Sequence, residues 1–186
     1  MRLALILALL ALQARAENKI VRARGFRAEV EKALASAALR ADIRLPRFDD
    51  PGLISGALQA LSRGAKVRLI AAKNDKSTRA AARRLADLGI LVRWSGKGGP
   101  HALLIDGKQL LVGGLDGGTE SMDEREESLG VFDDTALLAE FEADFESAWK
   151  RSVAKLPRVL TLSDELEALP DPRDVEPRLK TKRRIR

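Results

Sequence analysis

Short apolar runs and helix-period stretches take turns along the middle of this 186-residue chain, and that alternation limits the fold more than any other feature. Phe26 to Leu39 places Val30, Leu34 and Ala37 on one helical face. Ala41 to Phe48 alternates Ile43 and Leu45 with charged residues, which predicts a strand, and Pro46 marks an edge or an early end. Asp49-Asp-Pro-Gly52 starts a helix that runs to Arg63 and stops at Gly64. Val67 to Ala72 has the composition of a buried strand. A helix capped within Asn74 to Thr78 reaches Leu88, and Ile90 to Trp94 is a third strand. Ala102 to Ile105 and Gln109 to Val112 flank Asp106-Gly107, a strong two-residue hairpin signal. Ser128 to Phe132 is a last short strand, and Asp134 to Arg151 a long amphipathic helix. Strands alternating with helices and then a hairpin predict an α/β fold with a mixed β-sheet flanked by helices.

The ends have a different character. Arg2, the apolar stretch Leu3 to Leu12 and Ala14-Arg-Ala16 together read as a signal peptide over 1–16, so the protein is expected to be exported, periplasmic or secreted. Ten apolar residues fall short of the roughly 20 that span a bilayer, yet an uncleaved anchor helix stays open. Removing sixteen of 186 residues leaves 170, divided here into one domain over 17–155 and a proline-punctuated appendage with a basic tail over 156–186. The chain has no cysteine and one histidine, His101, so thiol catalysis, cysteine metal sites and a histidine-rich metal centre are excluded, and no metal or cofactor is expected. The net charge of +6 belongs to the tail: Arg178, Lys180, Lys182, Arg183, Arg184 and Arg186 account for all of it. Such a block is either a solvated terminus or a contact for an anionic membrane surface or nucleic acid.

The element order, with Ser62-Arg-Gly-Ala-Lys-Val67, Leu88-Gly-Ile-Leu-Val-Arg93 and then the glycine-rich hairpin, resembles the phospholipase D superfamily from about Phe26 to Arg151. The likeness is greatest to its small single-motif members, which include bacterial endonucleases. Their signature is His-x-Lys-x-x-x-x-Asp, then Gly-Ser-x-Asn seven residues past the aspartate, then a carboxylate about fourteen residues past that glycine. Asp106 to Gly113 is seven positions and Gly113 to Glu127 is fourteen. The side chains depart from the pattern. Gly99 stands in the histidine position, His101 in the lysine position, and Gly114 and Asp116 replace serine and asparagine. A gap of two would seat His101 as the histidine and leave no lysine.

The resemblance implies a histidine that attacks phosphorus, a second histidine that protonates the leaving oxygen, and lysine, serine and asparagine holding the phosphoryl oxygens. One-motif members pair two histidines by forming a homodimer. Strand alternation puts His101, Leu103 and Ile105 on one face and Asp106 on the other, so Asp106 suits the hairpin turn and Glu127 is the expected partner of the imidazole. The candidate site is therefore His101 and Glu127 for catalysis, with Gly113, Gly114, Asp116 and Gly117 as a phosphate-binding loop. The expected function is a phosphodiester-binding domain, for phospholipid or nucleic acid, with weakened or lost catalysis. An active hydrolase using His101 and a non-catalytic envelope adaptor working through its basic tail are the alternatives.

Overall fold

The computed structural model describes residues 18–96, 99–123 and 128–154. Their elements are β1 (Lys19–Arg22), α1 (Ala23–Ser36), β2 (Arg40–Leu45), α2 (Pro51–Ser62), β3 (Lys66–Ala72), α3 (Lys76–Asp87), β4 (Leu91–Ser95), β5 (Ala102–Ile105), β6 (Gln109–Gly113), α4 (Thr119–Asp123), β7 (Ser128–Phe132) and α5 (Thr135–Arg151). The strands form one sheet in the order β1-β7-β6-β5-β2-β3-β4. β2, β3 and β4 run parallel, whereas β5, β6, β7 and β1 pair antiparallel. The expected mixed α/β sheet is what forms.

Local chemistry sets the boundaries. Asp50, Asp75 and Asp134 cap α2, α3 and α5, accepting from backbone N–H groups two or three residues on at 2.7–3.0 Å. β2 stops at Leu45 rather than at Phe48: Pro46 cannot donate to the ladder, and the Phe48 N–H turns to Thr78 Oγ1 at 2.9 Å. α1 begins and ends three residues earlier than its periodicity predicts, so Leu39 lies outside it and is exposed. β1 was not expected from the sequence. It adds to the sheet by pairing Lys19–Arg22 with Ser128–Val131.

The two faces of the sheet are built from different materials. One buries Ile43, Leu45, Leu69, Leu103 and Leu111 with Phe26 and Leu34 of α1 in a continuous apolar core. The other lies under α5 and mixes Ile70, Leu104 and Phe145 with ions. Asp42 is wholly buried there and accepts two bonds from Arg68, at 2.6 and 2.8 Å. Arg68 also reaches Glu146 of α5 at 2.6 Å and lies over the Phe145 ring at 4.8 Å. Arg40 bridges Asp42 to Glu142. Beyond α5, Val153 exchanges both backbone hydrogen bonds with Trp94, which fastens the helix end to the outer strand. No helix among the described residues is long and apolar enough to cross a membrane.

Candidate functional site

The hairpin β5–β6 fixes the geometry, beginning at its turn. Asp106 is the one described non-glycine residue with a left-handed backbone, φ 54°. Its carboxylate accepts from three successive backbone N–H groups, Ala38 at 2.9, Leu39 at 2.8 and Arg40 at 2.7 Å. Burial pushes this carboxyl up, but the three donors outweigh burial and hold it below the usual carboxylate range. Asp106 thus ties the hairpin to the start of β2 and, as its strand position implies, does not orient His101.

His101 sits at the other end of β5, immediately before the strand, and is half-buried. Its carbonyl accepts the Gly113 N–H at 3.2 Å, closing the last rung of the hairpin. The residue lines a cavity of about 90 Å³, walled also by Arg44, Asn74, Ser95, Gly96 and Gly99. That space holds several waters or one phosphate-sized group. It opens where β2, β3 and β4 end, beside the point at which β2 passes from parallel pairing with β3 to antiparallel pairing with β5. Open α/β sheets bind ligands at such strand ends because the connecting chains diverge there.

The glycine loop after β6 is held by its own neighbours. Gly113 N–H is spent on His101, Gly114 N–H donates to the Ser128 carbonyl at 3.2 Å, and Gly118 N–H donates to the Asp116 carboxylate at 2.7 Å. Gly117 adopts φ 85°, and a Cβ there would overlap the Arg47 carbonyl. The Asp116 carbonyl accepts the Arg47 N–H at 2.8 Å. These glycines let the loop press against residues 47–50, with three of its amides already engaged. Arg47, bonded to Asp49 and within the field of Asp116 and Asp75, has its pKa raised despite the opposing effect of burial.

Glu127 and Lys97 lie outside the described residues, as does the basic stretch from Arg178 to Arg186. Lys108 follows the hairpin turn, at the far end of β5 from His101. The sequence reading missed Arg44, Asn74 and Ser95. The available signal was positional: all three stand at or just past the ends of the three parallel strands.

Position 99, which the motif spacing assigns to the nucleophile, carries no side chain, and the Arg44 guanidinium lies against it. A Cβ on Gly99 would overlap the Arg44 guanidinium outright. Arg44 itself is held by Asp144 of α5 at 2.7 Å. The hairpin β5–β6 thus frames a site in which the Arg44 guanidinium lies against position 99 and His101 lines the same cavity.

Solved structures share this frame. The phospholipase D family member Nuc from Salmonella typhimurium superposes with a TM-score of 0.70 at 16% identity, over 76% of this chain and 99% of that one. NucT from Helicobacter pylori gives 0.69 at 17% identity, over 76% and 100%. TrmBL2, an archaeal chromatin protein described as binding DNA in a novel mode, gives 0.61 at 18% identity, over 83% and 60%. No curated protein is matched by the sequence. The family model "Cardiolipin synthase, PLD-like domain" matches residues 30–149, well over half of the 186 residues, and the chain belongs to that phospholipase D-like family.

Proposed function

We propose that this protein is an exported phospholipase D-like domain that binds a phosphodiester, from a phospholipid head group or a nucleic-acid backbone, with little or no turnover. The observation that carries the reading is the cavity at the strand ends, lined by His101 and Arg44, with Gly99 supplying no side chain where the motif spacing expects the nucleophile. Phosphoryl transfer by the route the family resemblance implies begins with attack of an imidazole on phosphorus. His101 is the sole imidazole in the chain, and the ungapped spacing puts it two residues past that position. Polar groups that hold an anion without an attacking atom stabilise ground state and transition state alike, which gives affinity rather than rate. Glu127 is assigned to the same site by spacing alone. Gly113, Gly114, Asp116 and Gly117 serve the proposed site by shaping the loop next to His101.

The test is a paired assay of the purified protein on phospholipid vesicles and on a bis-aryl phosphodiester, with His101→Ala as the control. Saturable binding with no histidine-dependent hydrolysis is expected. Hydrolysis that disappears in His101→Ala would establish an active enzyme instead.

A further inference from the structure

We infer that the end of the sheet where β2, β3 and β4 begin is a docking face for an anionic lipid surface. Five large apolar side chains are exposed among the described residues, and four of them stand at this end. Leu39, just before β2, is 69% exposed; Leu88, which closes α3, is 59%; Leu91, which opens β4, is 44%. Single exposed leucines are ordinary on a protein surface, but a group gathered from two separate chain connections marks a contact. β2, β3 and β4 are neighbours in the sheet, so the row of strand starts is only about 10 Å wide.

Cations flank these leucines. Arg84 lies one helical turn before Leu88, on the same side of α3. Lys66 opens β3, and its N–H donates to the Leu39 carbonyl at 2.9 Å. Lys108 follows the Asp106 turn, whose carboxylate accepts the Leu39 N–H at 2.8 Å. All three are exposed. Asp87 is the exposed carboxylate beside them, while Asp133 and Asp134 follow β7, three strands from β2. Leucine with lysine and arginine suits a membrane interface, where apolar groups enter the head-group region and cations meet anionic lipids. A second copy of the chain on this face would instead bring like charges together.

The start of the chain points the same way. Four antiparallel pairings lead from β2 through β5, β6 and β7 to β1, so β1 runs in the direction of β2 and starts at this end. Lys19 therefore joins the apolar stretch Leu3 to Leu12, outside the described residues, to the domain at the end that carries the leucines. Ile20, 72% exposed, is the fourth apolar group here. The cavity lies at the opposite strand ends, about 20 Å away along the six residues of β2. Docking does not depend on what the cavity holds, but it turns the cavity away from the lipid surface.

The experiment is sedimentation of the full-length protein with vesicles of phosphatidylcholine alone and of phosphatidylcholine mixed with phosphatidylglycerol. Preferential binding to the mixed vesicles, weakened by added salt, is expected. Leu88→Ser with Leu91→Ser, and separately Lys66→Gln with Arg84→Gln, should each weaken it about tenfold or more, with the thermal unfolding midpoint unchanged. Because the chain has no cysteine, one introduced thiol gives a unique reporter. An environment-sensitive dye on Asp87→Cys should shift to the blue with the mixed vesicles. The same dye on Lys73→Cys, just past β3 at the cavity end, should not. Binding left unchanged by the leucine pair, as the basic tail alone would give, overturns the inference. So does a dye response at Lys73→Cys without one at Asp87→Cys, which would turn the cavity end toward lipid. A blue shift at Asp87→Cys that grows with protein concentration in the absence of vesicles would overturn it in favour of a second copy. A wild type that binds neither vesicle also overturns it, and leaves the phosphodiester reading of the cavity standing.

Discussion

The two ends of β5 have met different fates. At the turn, the aspartate of the family motif is present and fully employed, its carboxylate tying three backbone amides of the α1–β2 connection. At the cavity, the motif spacing puts Gly99 and His101 where family members carry out chemistry, and the Arg44 guanidinium lies against Gly99. The difference separates two duties that one motif combines. Asp106 works for the fold, so its loss would cost the whole domain. In the proposed function, Gly99 and His101 at the cavity end serve a ligand rather than the sheet, and exchanging them should leave the sheet intact.

Substitutions at the two ends should accordingly fail in different assays. The largest effect is expected for Asp106→Ala, which orphans three amides and leaves an alanine in a left-handed turn. A loss of about 3 kcal/mol in chemical denaturation is expected, discounted from the full value because the amides at Ala38 and Leu39 are exposed. Gly117→Ala comes next. It forces a Cβ against the Arg47 carbonyl at positive φ, and about 2 kcal/mol should be lost in the same measurement.

Acid sensitivity sharpens the comparison further. The Asp106 carboxyl is held below its unfolded value of about 3.9, so its stabilisation is complete above that pH and disappears as pH falls through the folded value. Asp75 has the same sign: burial raises its carboxyl, and bonds from Thr78 and Ser77 more than offset this. Unfolding midpoints followed from pH 6 down to about pH 3 should fall for the wild type and fall less steeply for Asp106→Asn. An equal slope in the two proteins would remove Asp106 from its assigned role. The smallest stability effect belongs to the cavity end. His101→Ala should change stability by no more than about 0.5 kcal/mol while weakening ligand binding, since the half-buried ring sits outside the strand ladder.

Much of the frame was legible because its signals are local. Three aspartate caps, the apolar period of α5 and the Asp106-Gly107 turn each act within a few residues, and each element formed at or near its expected place. β1 was not legible. Its four residues have one face exposed and no apolar alternation, and only pairing with β7 makes them a strand. The surroundings of the polar face of β2 were not legible either. Arg40, Asp42 and Arg44 alternate as the polar face of a strand, but α5 brings Glu142 onto Arg40, Asp144 onto Arg44 and Glu146 onto the neighbouring Arg68, and Asp42 is completely buried. Charge complementarity across about a hundred residues of sequence leaves no periodic trace. The same is true of the cavity, where residues 44, 74, 95 and 101 converge only after the sheet has formed.

The proposal that the nucleophile is lost is tested most directly by intact-protein mass spectrometry after incubation with a bis-aryl phosphodiester and rapid denaturation. The unmodified mass is predicted at every time point, since position 99 offers no attacking atom. A phosphorylated species that maps to His101 would contradict the account, because it would mean that the imbalance of side chains in this site does not prevent covalent catalysis.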